Sequence, residues 1–152
     1  MRPLTVQKYG GTSVGSIERI RNVARRVAKW KAAGHDVVVV PSAMSGETNR
    51  LLGLARELDA MADPRELDVI ASTGEQVTIG LLAIALKALG VEAKSYTGWQ
   101  VKVLSDSAFS KARIISIDDD RLRADLKAGR VPVVAGFQGI DAYGNLTTLG
   151  RG

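Results

Sequence analysis

No cysteine occurs in the 152 residues. Disulfides, thiolate metal sites and a cysteine nucleophile are therefore excluded. There is one histidine, His35, between Gly34 and Asp36 in what reads as a turn. A single histidine cannot build a His-based metal cluster, and a serine–histidine dyad has little support; a solvated turn histidine fits the setting. Long apolar runs are also missing. The longest, Val37 to Pro41 and Leu81 to Leu86, fall far short of the roughly 20 residues of a membrane span. No apolar stretch follows Arg2 as a targeting segment would require. A soluble, cytoplasmic protein without membrane contact is expected. Aromatic residues make up only 5% of the chain.

What is present suits one globular domain. Apolar residues are 45% of the chain, too many for a disordered protein. A chain of this length buries about two-thirds of the surface its unfolded form exposes. The formal charge is +5 and the isoelectric point about 9.7. Many positive residues fall on one segment: Arg19, Arg21, Arg25, Arg26, Lys29 and Lys31. Such a helix can meet nucleic acid or can be a solvated face. Only Trp30 interleaves with these charges, so no stacking platform is offered.

Leu4 to Tyr9 reads as a short strand, followed by a tight Gly10-Gly11-Thr12-Ser13 loop. Ile17, Ile20, Val23, Ala24 and Val27 form a helical stripe, with Ser16 as N-cap and Gly34 as stop. Val37-Val38-Val39-Val40 suits a strand covered on both faces, which Pro41 ends early. Leu51, Leu54, Ala55 and Leu58 suggest another helix. Asp63-Pro64-Arg65-Glu66 is a strong helix start. That helix runs toward Leu89 and Gly90, with Gly74 a candidate interruption. Glu92 to Thr97, Arg113 to Ile117 and Val131 to Ala135 read as strands, Asp118 to Ala128 as a helix, and Ala142 to Asn145 as a turn. Alternating strands and helices argue for an α/β sandwich with a mostly parallel sheet.

Several loops after strands could do chemistry. In Lys8-Tyr9-Gly10-Gly11-Thr12-Ser13 the glycine N–H groups can converge on an anion. The helix that follows adds positive potential, and Lys8 adds a full charge. The spacing is not a P-loop, because the lysine precedes the glycines; the alternative is a βα turn with a chance lysine. Ser42, Ser45 and Thr48 could reach a ligand at a strand's carboxyl end or could cap the next helix. Glu75, in Ser72-Thr73-Gly74-Glu75, could pair with a substrate amine or could be an exposed helical glutamate. Gly136-Phe137-Gln138-Gly139 could shape a pocket wall. Arg151, in a glycine-rich segment, suits carboxylate or phosphate recognition or an exposed terminus.

Lys8 to Ser13, Ser42 to Gly46, Ser72 to Glu75, Val134 to Gly139 and Thr147-Thr148-Leu149-Gly150-Arg151-Gly152 together resemble, in order, the motifs of the aspartate kinases. The resemblance covers the whole chain. It implies an amino-acid kinase (carbamate kinase-like) fold, a three-layer αβα sandwich with a mostly parallel sheet. Residues 1–152 would be its N-terminal, amino-acid-binding lobe, without the nucleotide lobe or the regulatory domains. It implies transfer of the γ-phosphoryl of ATP, with Mg2+, to the side-chain carboxylate of L-aspartate. Lys8 would neutralise charge on the transferring group. Gly10, Gly11, Thr12, Ser13 and Ser42 would line the phosphate site. Glu75 and Arg151 would hold the amine and the α-carboxylate, with help from Thr48. No nucleic-acid or membrane partner is implied, and the complete enzyme would be a homo-oligomer. The family's closing motif runs Gly-Arg-Gly-Gly-Ser-Asp, whereas this chain stops at Gly152. A truncated chain, inactive by itself, is expected. A kinase with a glutamate or nucleotide acceptor, or a non-catalytic basic nucleic-acid-binding module, are the alternatives.

Overall fold

The structure, a computed structural model, describes residues 2–150. Strand β1 (Leu4–Tyr9) leads through a short 3-10 turn (Gly11–Val14) into α1 (Ile17–Ala32). Then come β2 (Asp36–Pro41), α2 (Glu47–Leu58), α3 (Pro64–Ala88), β3 (Ala93–Tyr96), β4 (Val103–Ser105) and β5 (Ile114–Ile117). Helix α4 (Asp120–Lys127) and strands β6 (Val131–Val134), β7 (Gln138–Ile140) and β8 (Leu146–Thr148) complete the chain. The main sheet has the order β1-β2-β6-β3, and every pairing in it is parallel. A second sheet, β5-β4-β7-β8, is mixed.

The valines of β2 explain the layering. Side chains alternate across a strand. Val37 and Val39 accordingly join one core, with Ile20, Val23 and Val27 of α1 and Ile79, Leu82 and Leu86 of α3. Val38 and Val40 face the other side, where Val134, Tyr96, Leu122 and Leu126 of α4 meet them. Helices α1 and α3 thus cover one face and α4 the other, giving three layers. The α4 side is thinly covered. An apolar groove of about 330 Å³ remains there, lined in part by Leu4, Val6, Val38, Val40, Leu122 and Leu126.

The helix ends follow their capping chemistry. The Ser16 side chain accepts from Arg19 N at 3.2 Å, and the Asp63 side chain from Arg65 N at 3.0 Å. Gly34, Gly90 and Gly129 take positive φ just beyond α1, α3 and α4, where a side chain would be strained.

Three expectations are corrected. Helix α3 runs 25 residues without a break at Gly74, because that glycine is where Ala43 packs closely against the helix. Strand β2 continues through Pro41, which pairs with Tyr9; Asp36 N and Ser42 N donate to the β1 side, so the N–H that proline lacks would point toward β6, where the ladder is a single register pair. His35 is half-buried rather than solvated, edge-on to Trp30 with ring centroids 4.7 Å apart and 3.3 Å from the Thr5 hydroxyl. Pro132 has a visible effect too. Val131 N and Ala135 N donate toward β3, to Glu92 O and Tyr96 O, so Pro132 faces β2. There the ladder is thin, with Val39↔Val133 its single register pair.

By length and composition alone α3 could cross a membrane. Its packing against α1, α2, β3 and β8, and its buried Asp68, Ser72, Glu75 and Thr78, make it the central helix of the domain.

Candidate active site

Parallel strands deliver their following loops to one edge of the sheet. At that edge the turn after β1, the loop after β2, the middle of α3 and the loop after β6 converge. A Cβ on Gly11 would lie 3.2 Å from Ala43 O and 3.4 Å from Ser45 Cα. The β1 turn and the β2 loop therefore touch, backbone to backbone, and only a residue without a side chain fits between them comfortably. Gly74 repeats the arrangement from α3, since a Cβ there would stand 3.1 Å from the Ala43 side chain. Gly136 does so from β6, 2.6 Å from Val40 Cγ1. These glycines set the distance of closest approach for the four segments.

Lys8, next to last in β1, holds its ammonium 4.5 Å from the centroid of the Phe137 ring, a cation–π distance. Phe137 also donates its backbone N–H to Glu75 Oε2 at 3.2 Å. One residue thus touches both the candidate phosphate lysine and the candidate amine-binding carboxylate, although Lys8 and Glu75 lie 67 positions apart in sequence. Glu75 is buried, 7% exposed, and forms no ion pair among the described residues. Burial pushes its carboxyl up to about 7, against the opposing pull of the Phe137 N–H and the Gln138 side chain. The reading of Glu75 as an exposed helical glutamate is therefore set aside.

Gly10 is extended, with φ −77° and ψ 171°, and the turn closes by Ser13 N donating to Gly10 O at 3.0 Å. Thr12 and Ser13 belong to this turn, and Ser13 also lines a second cavity behind it. Ser42 N donates to Tyr9 O at 2.9 Å, which carries the β1–β2 ladder into the loops; the Ser42 hydroxyl donates to Ala43 O. Thr48, half-buried, lies in the first turn of α2, whose Glu47 and Leu51 side chains face Gly74. The structure thus brings Lys8, Gly10, Gly11, Ser42 and Glu75 to one edge and sets Thr48 at its rim. Arg151 lies outside the described residues.

Two buried residues support the site: Asp68, which the sequence reading missed, and Gln138, which it read as part of a pocket wall. Asp68, 1% exposed, accepts from Ser110 N at 2.9 Å, Thr148 N at 2.9 Å and Thr148 Oγ1 at 2.7 Å. It fixes β8 and the loop before β5 to α3, two turns from Glu75 on the same helix face. Its one signal in the sequence is an acid seven residues before Glu75 in an apolar stretch. Gln138, fully buried, donates from Nε2 to Ser72 O and accepts from Gly98 N, both at 3.1 Å. It ties the loop after β6 to α3, as expected of a pocket wall.

Arranged in this way, the edge offers a cation and the backbone of a glycine turn on one side and, on the other, a buried carboxyl that forms no ion pair among the described residues. That combination can hold a phosphoryl group beside an ammonium.

The chain resembles proteins already known. The sequence profile of the amino acid kinase family matches residues 3–152. The chain is 67% identical over 149 residues to an aspartokinase of Pseudomonas aeruginosa, covering 98% of this chain and 36% of that protein. It therefore spans about a third of the length of such relatives. The crystal structure of an aspartate kinase from Synechocystis superposes with a TM-score of 0.82 at 42% identity, over 98% of this chain and 24% of that one. Aspartokinase III of E. coli, solved in complex with lysine and aspartate, gives 0.82 at 25% identity, over 99% of this chain and 44% of that one.

Proposed function

The chain belongs to the amino acid kinase family, and from that premise we propose that it is the N-terminal, amino-acid-binding lobe of an aspartate kinase. The observation that carries this reading is the Phe137 bridge, which sets the Lys8 ammonium and the buried Glu75 carboxyl on either side of one residue. The identity with aspartokinases supports the choice of acceptor.

In this reading a side-chain carboxylate oxygen of aspartate attacks the γ-phosphorus of ATP. A new O–P bond forms, the bond to the bridging oxygen breaks, and ADP leaves. The nucleophile is already an anion, so no general base is needed, and positioning and charge stabilisation supply the catalysis. Lys8 neutralises charge on the transferring group. The N–H groups of the Gly10–Gly11 turn, with Thr12, Ser13 and Ser42, hold phosphate oxygens. Glu75, ionised by the approach of the substrate ammonium, binds the amine. Arg151 takes the α-carboxylate and Thr48 assists from the rim. Magnesium would enter on the ATP phosphates. Among the described residues no cluster of three metal-binding side chains would hold it, and no step here runs through it. A cytoplasmic homo-oligomer is the expected state of the complete enzyme.

The test is a chimera. The chain replaces the matching third of the Pseudomonas aeruginosa aspartokinase, and ATP consumption is followed with aspartate, glutamate and a nucleoside monophosphate as acceptors. Aspartate-dependent turnover is expected. Turnover with another acceptor and none with aspartate would sink the assignment.

A further inference from the structure

The 3-10 turn after β1 has a second side, facing α1. Between the turn and that helix lies a cavity of about 190 Å³, lined by Tyr9, Ser13, Arg19, Asn22, Val23 and Arg26. Arg19, Asn22 and Arg26 follow one another at spacings of three and four, so they share one face of the helix. Their neighbours are already occupied. Arg21 and Arg25 share Glu18 at 3.8 and 3.6 Å, and Arg25 also donates to Asn22 Oδ1 at 2.8 Å. Arg19 and Arg26 form no ion pair and no side-chain hydrogen bond among the described residues. Two guanidinium groups left facing one cavity repel each other, and an anion between them removes that cost. The amino end of α1 adds to the positive potential. Burial pushes the Tyr9 phenol up and the Arg26 charge opposes the shift, in keeping with both residues lining the same cavity.

We infer that this cavity binds a small anion bearing two phosphate-like groups, on the α1 side of the turn rather than at Lys8, with Ser13 the one residue common to both sites. Arginine forks match the oxygens of phosphate. Positions 19 and 26 lie about 10 Å apart along the helix axis, so each arginine can present its fork to a different group of one linked dianion. The cavity is smaller than the roughly 300–1,000 Å³ of sites that enclose drug-sized ligands, which argues against a nucleoside. The ligand would lie against Tyr9 and Ser13 and brace the glycine turn from behind. The inference does not depend on which acceptor the chain serves.

The test is isothermal titration of the 152-residue chain with inorganic pyrophosphate at low salt. Positions 19, 21, 25 and 26 are all exposed, so glutamine there leaves the packing intact. A saturable binding event is expected that weakens about tenfold or more in Arg19→Gln and in Arg26→Gln. It should survive Lys8→Ala and the double variant Arg21→Gln/Arg25→Gln. Inorganic phosphate should bind more weakly than pyrophosphate. Loss of the event in Lys8→Ala, with retention in Arg26→Gln, would place the ligand on the other side of the turn and overturn the inference. An equal loss in Arg21→Gln/Arg25→Gln would reduce it to diffuse surface charge. No saturable binding, or phosphate binding as tightly as pyrophosphate, would also refute it.

Discussion

A carboxyl that is 7% exposed and forms no ion pair among the described residues is destabilised in its charged form. For Glu75 the gap between about 7 and the ordinary 4.5 corresponds to about 3 kcal/mol. The sign follows from linkage. The folded chain holds this proton more tightly than the unfolded one, so the stability from Glu75 is full below the unfolded value and is lost as pH rises through about 7. Glu75→Gln should therefore melt above the parent at pH 8, with the difference shrinking toward pH 5; a pH-independent difference would mean that the carboxyl is not desolvated. In the chimera the same substitution should raise KM for aspartate far more than KM for ATP, and an equal rise in both would make Glu75 structural. Lys8→Ala should lower turnover several hundredfold or more, since it deletes a full charge aimed at the transferring group. Near-normal turnover would remove Lys8 from the mechanism. Lys8 and the glycines were legible in the sequence because strand, lysine and turn are contiguous. The burial of Glu75 was not, because its cover comes from Phe137, 62 positions away.

Helix α3 organises the elements around it. Its outer end is tied to the β7–β8 turn through Arg65 Nε donating to Asn145 Oδ1 at 2.8 Å, and Asp68 holds β8 directly. Asp68→Ala leaves the Ser110 and Thr148 N–H groups without an acceptor, at about 1–3 kcal/mol each. Urea unfolding should show a loss of about 2–5 kcal/mol, with Asp68→Asn recovering part of it. A loss below about 1 kcal/mol in Asp68→Ala would show that water replaces the carboxylate. The long elements were readable from pattern: the stripe of α1, the Asp63-Pro64 start of α3 and the valines of β2. Strands β4, β7 and β8 were not. Each has three residues, too few to display a period, and β4 pairs with β7 across more than thirty residues of chain. Such strands exist because of their partners, and local sequence does not carry that information.

Across the whole molecule the two faces of the main sheet are unequal. The α1–α3 face is sealed, whereas the α4 face leaves Leu4 52% and Val6 63% exposed on edge strand β1, beside an apolar groove. Unpaired edges and apolar patches promote association, and the +5 charge opposes it most when salt is low. The chain should accordingly sediment as larger species as ionic strength rises. A monomer at both low and high salt would mean that α4 covers the sheet well enough. Strand β2 has a consequence of a different kind. Four identical side chains in a row look the same after a slip of one position, since either valine pair satisfies either core. Hydrophobic patterning, which fixes alignment in most buried strands, is mute here. The alignment is set at the margins instead, by Asp36 N donating to Pro3 O, by Ser42 N donating to Tyr9 O, and by the notch that Gly136 leaves for Val40. A one-position slip of β2 therefore costs little in its valines and is penalised at these margins, by the two hydrogen bonds lost to the β1 side and by the misfit of Val40 against Gly136.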